Sequence, residues 1–286
     1  MLCTNNWIDI SWDGLPQRKQ RENLQVNFSR RANLVPFELA CDQVAQEIYH
    51  SHGPLYLAFS GGCDSENIAN VLYRNHIPFV PVILIYDNVL DQSQKLESWY
   101  AVQWCKSHGI VPEIVHSKDF IGSAEEKLAF LKIRPRLAFG AITTAMLAKF
   151  IAQCKGSLII GNQLEYYPDH EQMTYLEPQL ADYQGFVMQE SDYYFESLCG
   201  GQHPWAFYYW NPEIMAAFVN EWNTSMTMQE NKAAIYKVTH RPKIAYPCNL
   251  LPRPQWLNRR ALSSRFGTVD VAMLGTKQTL LDKLLK

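Results

Sequence analysis

Leu55-Tyr56-Leu57-Ala58-Phe59-Ser60-Gly61-Gly62-Cys63-Asp64-Ser65 joins an apolar run to a Ser-Gly-Gly-x-Asp-Ser turn. The next residues, Glu66-Asn67-Ile68-Ala69-Asn70-Val71-Leu72-Tyr73, carry their apolar side chains at helical spacing, so the order is strand, glycine turn, helix. A phosphate site requires that order. Two glycines let the backbone approach an anion and take up dihedrals closed to other residues, while the first free N–H groups of the helix point at it. Ser60 and Ser65 can add hydroxyl donors, and Asp64 can hold a magnesium ion against the phosphates.

The turn is not the GxxxxGK(S/T) loop, because no lysine follows its glycines. It resembles the pyrophosphate loop of the PP-loop ATP pyrophosphatase (adenine nucleotide alpha-hydrolase-like) superfamily, whose SGGxDS signature stands here as Ser60-Gly61-Gly62-Cys63-Asp64-Ser65. The resemblance implies cleavage of ATP between its α- and β-phosphates, giving an adenylated substrate and pyrophosphate. A tight turn whose glycines serve geometry alone is the plainer alternative.

The 286 residues, 47% of them hydrophobic, allow one large domain or one domain with an appendage around an ample core. A formal net charge of −2 argues against wholesale nucleic-acid binding. Seven scattered cysteines without a CxxC pair fit a reducing cytoplasm and argue against both a disulfide framework and a four-cysteine zinc site. With no basic start followed by an apolar run, and no apolar stretch of ~18 residues, a soluble, cytoplasmic protein is expected. Charge is unevenly spread. Between Gly161 and Gly201 eight acids stand without a Lys or Arg, whereas from Arg241 to Lys286 nine basic residues face Asp270 and Asp282.

Around the loop the chain alternates strands and helices. Trp7–Trp12 and Leu24–Phe28 read as a hairpin at the edge of the main sheet, and Pro36–His50 as a helix packed across it. Phe79–Tyr86 has the near-continuous apolar run of a doubly covered parallel strand. Gln92–His108 reads as a helix, Ile110–Val115 as a strand, Ala138–Cys154 as a helix and Ser157–Ile160 as a strand. The fold class expected is α/β, a doubly wound, Rossmann-like parallel sheet with a C-terminal helical and irregular extension. Three regions are expected: a hairpin appendage over 1–34, an ATP-binding core over 35–161, and a substrate or lid region with the extension over 162–286. Ligands lie beyond the carboxyl ends of such strands, where Ser60, Asp87 and Gly161 fall. After Gly161 the periodicity dissolves into an acidic, tyrosine-rich stretch leading to Trp205-Ala-Phe-Tyr-Tyr-Trp210, read either as a substrate lid or as a solvated insertion with aromatic anchors. Helices are expected again over Pro212–Asn223 and Thr276–Leu285.

Three further stretches resemble the 7-cyano-7-deazaguanine synthase (ExsB) family. These are Leu84-Ile-Tyr86-Asp87 through Glu97, Ile133-Arg134-Pro-Arg136 with the apolar run after it, and Ile160-Gly161 through Tyr167-Pro168-Asp169. That family closes with four zinc-binding cysteines, whereas this tail offers only Cys199 and Cys248, so no structural zinc is expected. His170 stands where the family places a cysteine, and the resemblance is to a divergent relative whose ATP chemistry is kept and whose acceptor has changed.

The resemblance implies ATP and Mg²⁺ as cofactors. The nucleotide would be bound by Ser60, Gly61, Gly62, Cys63, Asp64, Ser65, Tyr86, Asp87 and Gly161. Asp64, Glu165 and Asp169 are the candidate metal ligands; Ser60, Asp64, Ser65 and Arg136 are the candidate catalytic groups. A carboxylate or amide oxygen of a small-molecule acceptor, for which a modified-base precursor is one candidate, would attack the α-phosphate. Sulfur transfer through Cys199, or reduction of a sulfated nucleotide, is the second reading. A non-enzymatic nucleotide- or nucleic-acid-binding module using Arg253, Arg259, Arg260, Arg265 and Trp256 is the third. Nucleic acid is not the favoured partner, no membrane is expected, and a homodimer is left open.

Overall fold

The computed structural model describes residues 7–13, 23–85, 92–116, 147, 150–151, 153–161, 163–167, 183–189, 205–239 and 271–285. Strands β1 (Ile8–Asp13) and β2 (Asn23–Phe28) precede helix α1 (Phe37–His52), strand β3 (Leu55–Ala58) and helix α2 (Cys63–Arg74). Then come β4 (Phe79–Ile85), α3 (Gln92–Ser107), β5 (Glu113–His116), β6 (Ser157–Ile160), β7 (Glu165–Tyr167), β8 (Gly185–Gln189) and β9 (Trp205–Ala206). A 3-10 turn at Phe207–Tyr209 leads to α4 (Pro212–Glu221), α5 (Met228–Tyr236), β10 (Val271–Gly275) and α6 (Lys277–Leu285).

The main sheet has five strands in the order β5-β4-β3-β6-β9, every neighbouring pair parallel. Its central positions, Leu57, Val82, Ile83, Leu158 and Ile159, have no exposed surface, which is why these strands read as apolar runs and not as alternating ones. From β3 the chain winds outward through β4 to β5, then returns to the other side of β3 at β6 and continues to β9. The strand order therefore reverses between β3 and β6, and the carboxyl ends of those two strands form the crevice in which an open α/β sheet takes its ligand. This is the doubly wound α/β architecture expected from the sequence.

The hairpin forms, but not where the sequence placed it. β1 and β2 make a two-stranded sheet of their own, in register from Ile8 opposite Phe28 to Asp13 opposite Asn23, and add nothing to the edge of the main sheet. Trp7 explains the position: its ring is buried, stacks on Phe28 at 5.6 Å, and donates from Nε1 to the Tyr209 carbonyl at 3.0 Å. Arg30 pairs with Glu213 at 2.8 Å and Arg31 donates to the Lys283 carbonyl, so these two arginines bridge to α4 and α6.

The region after Gly161 also differs. β7, β8 and β10 build an antiparallel sheet in the order β10-β8-β7, short segments whose alternation was too brief to show as a period. Most of the stretch read as a lid or an insertion, 168–182 and 190–204, lies outside the described residues. Trp205 and Ala206 pair with Ile159 and Ile160 of β6, and Phe207, Tyr208, Tyr209 and Trp210 are core residues. The third strand starts later than its apolar run suggested, at Glu113. Of the helix expected over Ala138–Cys154, Leu147, Phe150, Ile151 and Gln153 are described and helical. No helix among the described residues is long and apolar enough to cross a membrane.

Candidate functional site

β3 delivers the chain to the crevice, and Phe59 extends the ladder by donating its N–H to the Val82 carbonyl at 2.9 Å. Gly61 then takes φ = +87°, a left-handed conformation in which a Cβ would be strained, and this reverses the chain into α2. Gly62 is the N-cap of α2 and supplies no capping side chain, so the first turn of this 12-residue helix faces the crevice without an internal acceptor of the usual kind. The serines hold the turn together. Gly62 N–H donates to Ser60 Oγ at 3.2 Å, Ser65 Oγ donates to the Gly62 carbonyl at 3.1 Å, and the two hydroxyl oxygens lie 3.1 Å apart. Ser60 is exposed at the mouth and Ser65 is buried beneath it, so of the two bonded hydroxyls the Ser60 one is within a ligand's reach.

Gly161 closes the other wall. A Cβ there would stand 3.3 Å from Ser65 N, 3.4 Å from Ile68 Cδ1 and 3.5 Å from the Asp64 carbonyl carbon. The end of β6 thus rests directly on the first turn of α2, at the switch point. A helix N-terminus with converging N–H groups, glycine walls and two hydroxyls is an anion cradle shaped for phosphate.

Asp64 sits one residue into α2, and its surroundings are not those of a bare metal ligand. Lys232 Nζ donates to Oδ2 at 2.8 Å and Tyr236 OH donates to Oδ1 at 2.7 Å. Tyr208 OH donates to the Asp64 backbone carbonyl at 2.8 Å and in turn accepts from Asn67 Nδ2 at 3.0 Å. The Lys232 side chain is 8% exposed and that of Asp64 27%. Burial works against the lysine's charge, but the neighbouring Asp64 carboxylate, with Cys63 and Glu165 adding to it, holds the Lys232 pKa above its ordinary value. Burial and the Asp64 charge also push the Tyr236 and Tyr208 hydroxyls well up, so both stay protonated as donors. Phe37, Tyr208 and Tyr236 stack at 5.6 to 6.3 Å behind this cluster.

Both Asp64 carboxylate oxygens thus carry donors, and one of those donors is an ammonium. Among the described residues no group of three His, Cys, Asp or Glu side chains could hold a metal ion. Cys63, in the middle of the loop, has its thiol pushed up to about 12 by burial and by the Asp64 charge.

Ser60, Gly61, Gly62, Cys63, Asp64, Ser65 and Gly161 are brought together around one cradle, and Glu165 lies on β7, its charge felt at Lys232. Tyr86, Asp87, Arg136 and Asp169 lie outside the described residues, as do Cys199 and Cys248. Sequence reading missed Lys232, Tyr236, Tyr208 and Asn67. A signal for the first two was present: Thr227-x-x-Glu230 is a capping box, with the Thr227 and Glu230 side chains exchanging bonds with each other's backbone, and it announces a helix on which positions 232 and 236 share a face. Elsewhere a cleft of about 600 Å³ lined by Arg30, Asp42, Glu47 and Glu213 contains none of the loop residues. Its charges are already matched, Arg30 with Glu213, Asp42 with Arg74, and Glu47 with Trp210 Nε1.

No family model and no curated protein matches the chain. Among solved structures it is similar to the U34-tRNA thiolase NcsA from Methanococcus maripaludis, solved with its iron–sulfur cluster. Identity is 23% over 43% of this chain and 46% of that one, with a TM-score of 0.31. An NH3-dependent NAD synthetase from Campylobacter jejuni, in complex with nitrate, shows 16% identity over 44% of this chain and 55% of that one, TM-score 0.31. The NMN synthetase from Francisella tularensis shows 14% identity over 79% of this chain and 94% of that one, TM-score 0.34. The matched part spans about half the length of the first two. These likenesses are too loose to assign a family, and the chemistry rests on the loop itself.

Proposed function

We propose that this chain is an ATP pyrophosphatase-type enzyme of the PP-loop kind, which adenylates a carboxylate or amide acceptor. The observation that carries the reading is the Ser60–Ser65 turn: an SGGxDS sequence, reversed at a left-handed Gly61, opening an N-terminus without a capping side chain at the switch point between β3 and β6. The N–H groups of the first turn and the Ser60 hydroxyl would hold the β- and γ-phosphates, and the Gly161 wall would keep the cradle narrow. An acceptor oxygen then forms a bond to the α-phosphorus as the bond from that phosphorus to the bridging oxygen breaks, and pyrophosphate leaves with the electron pair. A nucleophile such as ammonia afterwards displaces AMP from the activated carbon. Positioning and charge neutralisation are the protein's contribution, worth several orders of magnitude when a leaving group is held by preorganised donors. A modified-base precursor is one candidate acceptor, offered by the ExsB-like stretches of the sequence alone.

The test is to incubate the protein with ATP, Mg²⁺, an ammonium salt and a panel of carboxylated bases and to follow the nucleotide products. AMP and pyrophosphate are expected in equal amounts. ADP with orthophosphate would sink the proposal.

A further inference from the structure

The one acid of the loop is spoken for. Lys232 and Tyr236 reach it from α5, 168 and 172 residues further along the chain, and each takes a different carboxylate oxygen, at 2.8 and 2.7 Å. Tyr208, arriving from the turn after β9, takes the backbone carbonyl of the same residue. A buried ammonium is costly unless it is paired, and Asp64 is the acid that pairs it here. The carboxylate therefore cannot turn to a cation without stranding Lys232 and breaking the attachment of α5.

We propose that Asp64 is a positioning residue: it is the counter-ion that latches α5 onto the first turn of α2 and so fixes the phosphate cradle. The divalent ion that accompanies the nucleotide is held by phosphate oxygens and not by Asp64. This deepens the reading of the same site as a polyphosphate cradle and rests on it for the metal, whereas the latch stands on the geometry of the loop and α5 alone.

Two full-length variants and inorganic pyrophosphate separate the outcomes. Asp64→Asn leaves Lys232 buried without its counter-charge, and a fall in Tm of about 5 °C or more is expected. Adding Lys232→Met removes the stranded cation, so the double variant D64N/K232M should melt above D64N. If D64N does not fold, the folding of the double variant carries the same result. A double variant less stable than D64N overturns the latch. The second readout is one that packing alone would not move, the Mg²⁺ concentration giving half-maximal pyrophosphate binding by calorimetry. It should agree within twofold between the wild-type chain and D64N/K232M, in which no cation is stranded, whereas a larger rightward shift in that double variant makes Asp64 a metal ligand and overturns the proposal. Should the wild-type chain bind no pyrophosphate, the ATP reading fails, and the thermal cycle by itself decides the latch.

Discussion

Cys63 occupies the variable place of the SGGxDS turn, and burial together with the Asp64 charge holds its thiol up to about 12. A thiol so held is not a nucleophile near neutral pH. Iodoacetamide at pH 8 should leave Cys63 unmodified in the folded chain and alkylate it once the chain is denatured, read by peptide mass mapping; equal labelling in both states would contradict the burial. Gly161 is the other residue whose environment dictates an outcome. A Cβ there would meet Ser65 N at 3.3 Å and Ile68 Cδ1 at 3.4 Å, so even the first atom of a side chain needs the start of α2 to give by a few tenths of an ångström, and a larger one needs more. Gly161→Val should cost about 1 to 3 kcal/mol in a thermal melt and weaken pyrophosphate binding by about tenfold, measured by calorimetry. Ser60, the two glycines, Asp64 and Ser65 were legible in the sequence because a strand, a turn and a helix start are contiguous. Lys232 and Tyr236 were not, since the pairing of residue 64 with residues 232 and 236 is a tertiary fact that no local pattern carries.

At the scale of elements, α5 decides how well the loop is held. Its start is fixed by the Thr227 and Glu230 capping box and its end by Lys237 in the left-handed conformation, so the helix is short but sharply bounded at both ends. Thr227→Ala should lower stability by about 1 kcal/mol, seen as a Tm shift of about 2 to 4 °C for a chain of this size. An unchanged Tm would show that packing alone sets the helix. β3, β4 and β6 were legible from continuous apolar runs, and α1, α2 and α4 from 3.6-residue spacing. β7, β8 and β10 escaped because segments of three to five residues offer too few alternations, and β9 because its aromatic neighbours, Phe207 to Trp210, carry no period at all. The hairpin was recognisable as a hairpin, but its docking was not. That follows from a single indole N–H finding the Tyr209 carbonyl.

Across the described residues, groups whose pKa is raised in the fold, buried thiols among them, set the alkaline limit, and three of them meet at Asp64. Lys232, Tyr208 and Tyr236 all have folded pKa values raised above their unfolded ones, Lys232 by Asp64 against the cost of burial, the tyrosines by burial and the same carboxylate. Each contributes stability that is complete below its unfolded pKa and is lost as pH rises through the folded value. The Tm should therefore begin to fall above about pH 8.5, where free cysteine starts to lose its proton while Cys63 and Cys105 stay protonated in the fold, and fall more steeply above about pH 10, where free tyrosine and lysine follow. The D64N/K232M variant should fall less steeply; an identical fall by scanning calorimetry would place the alkaline sensitivity elsewhere. The sheet order and the loop both converge on the carboxyl ends of β3 and β6, and the account stands or falls on whether that cradle takes the pyrophosphate end of a nucleotide. The most direct measurement is an amide ¹H–¹⁵N titration of the full chain with inorganic pyrophosphate. The account predicts that the resonances of Gly61, Gly62, Cys63, Asp64 and Ser65 shift most and saturate together, and saturation that leaves these five amides unmoved would contradict it.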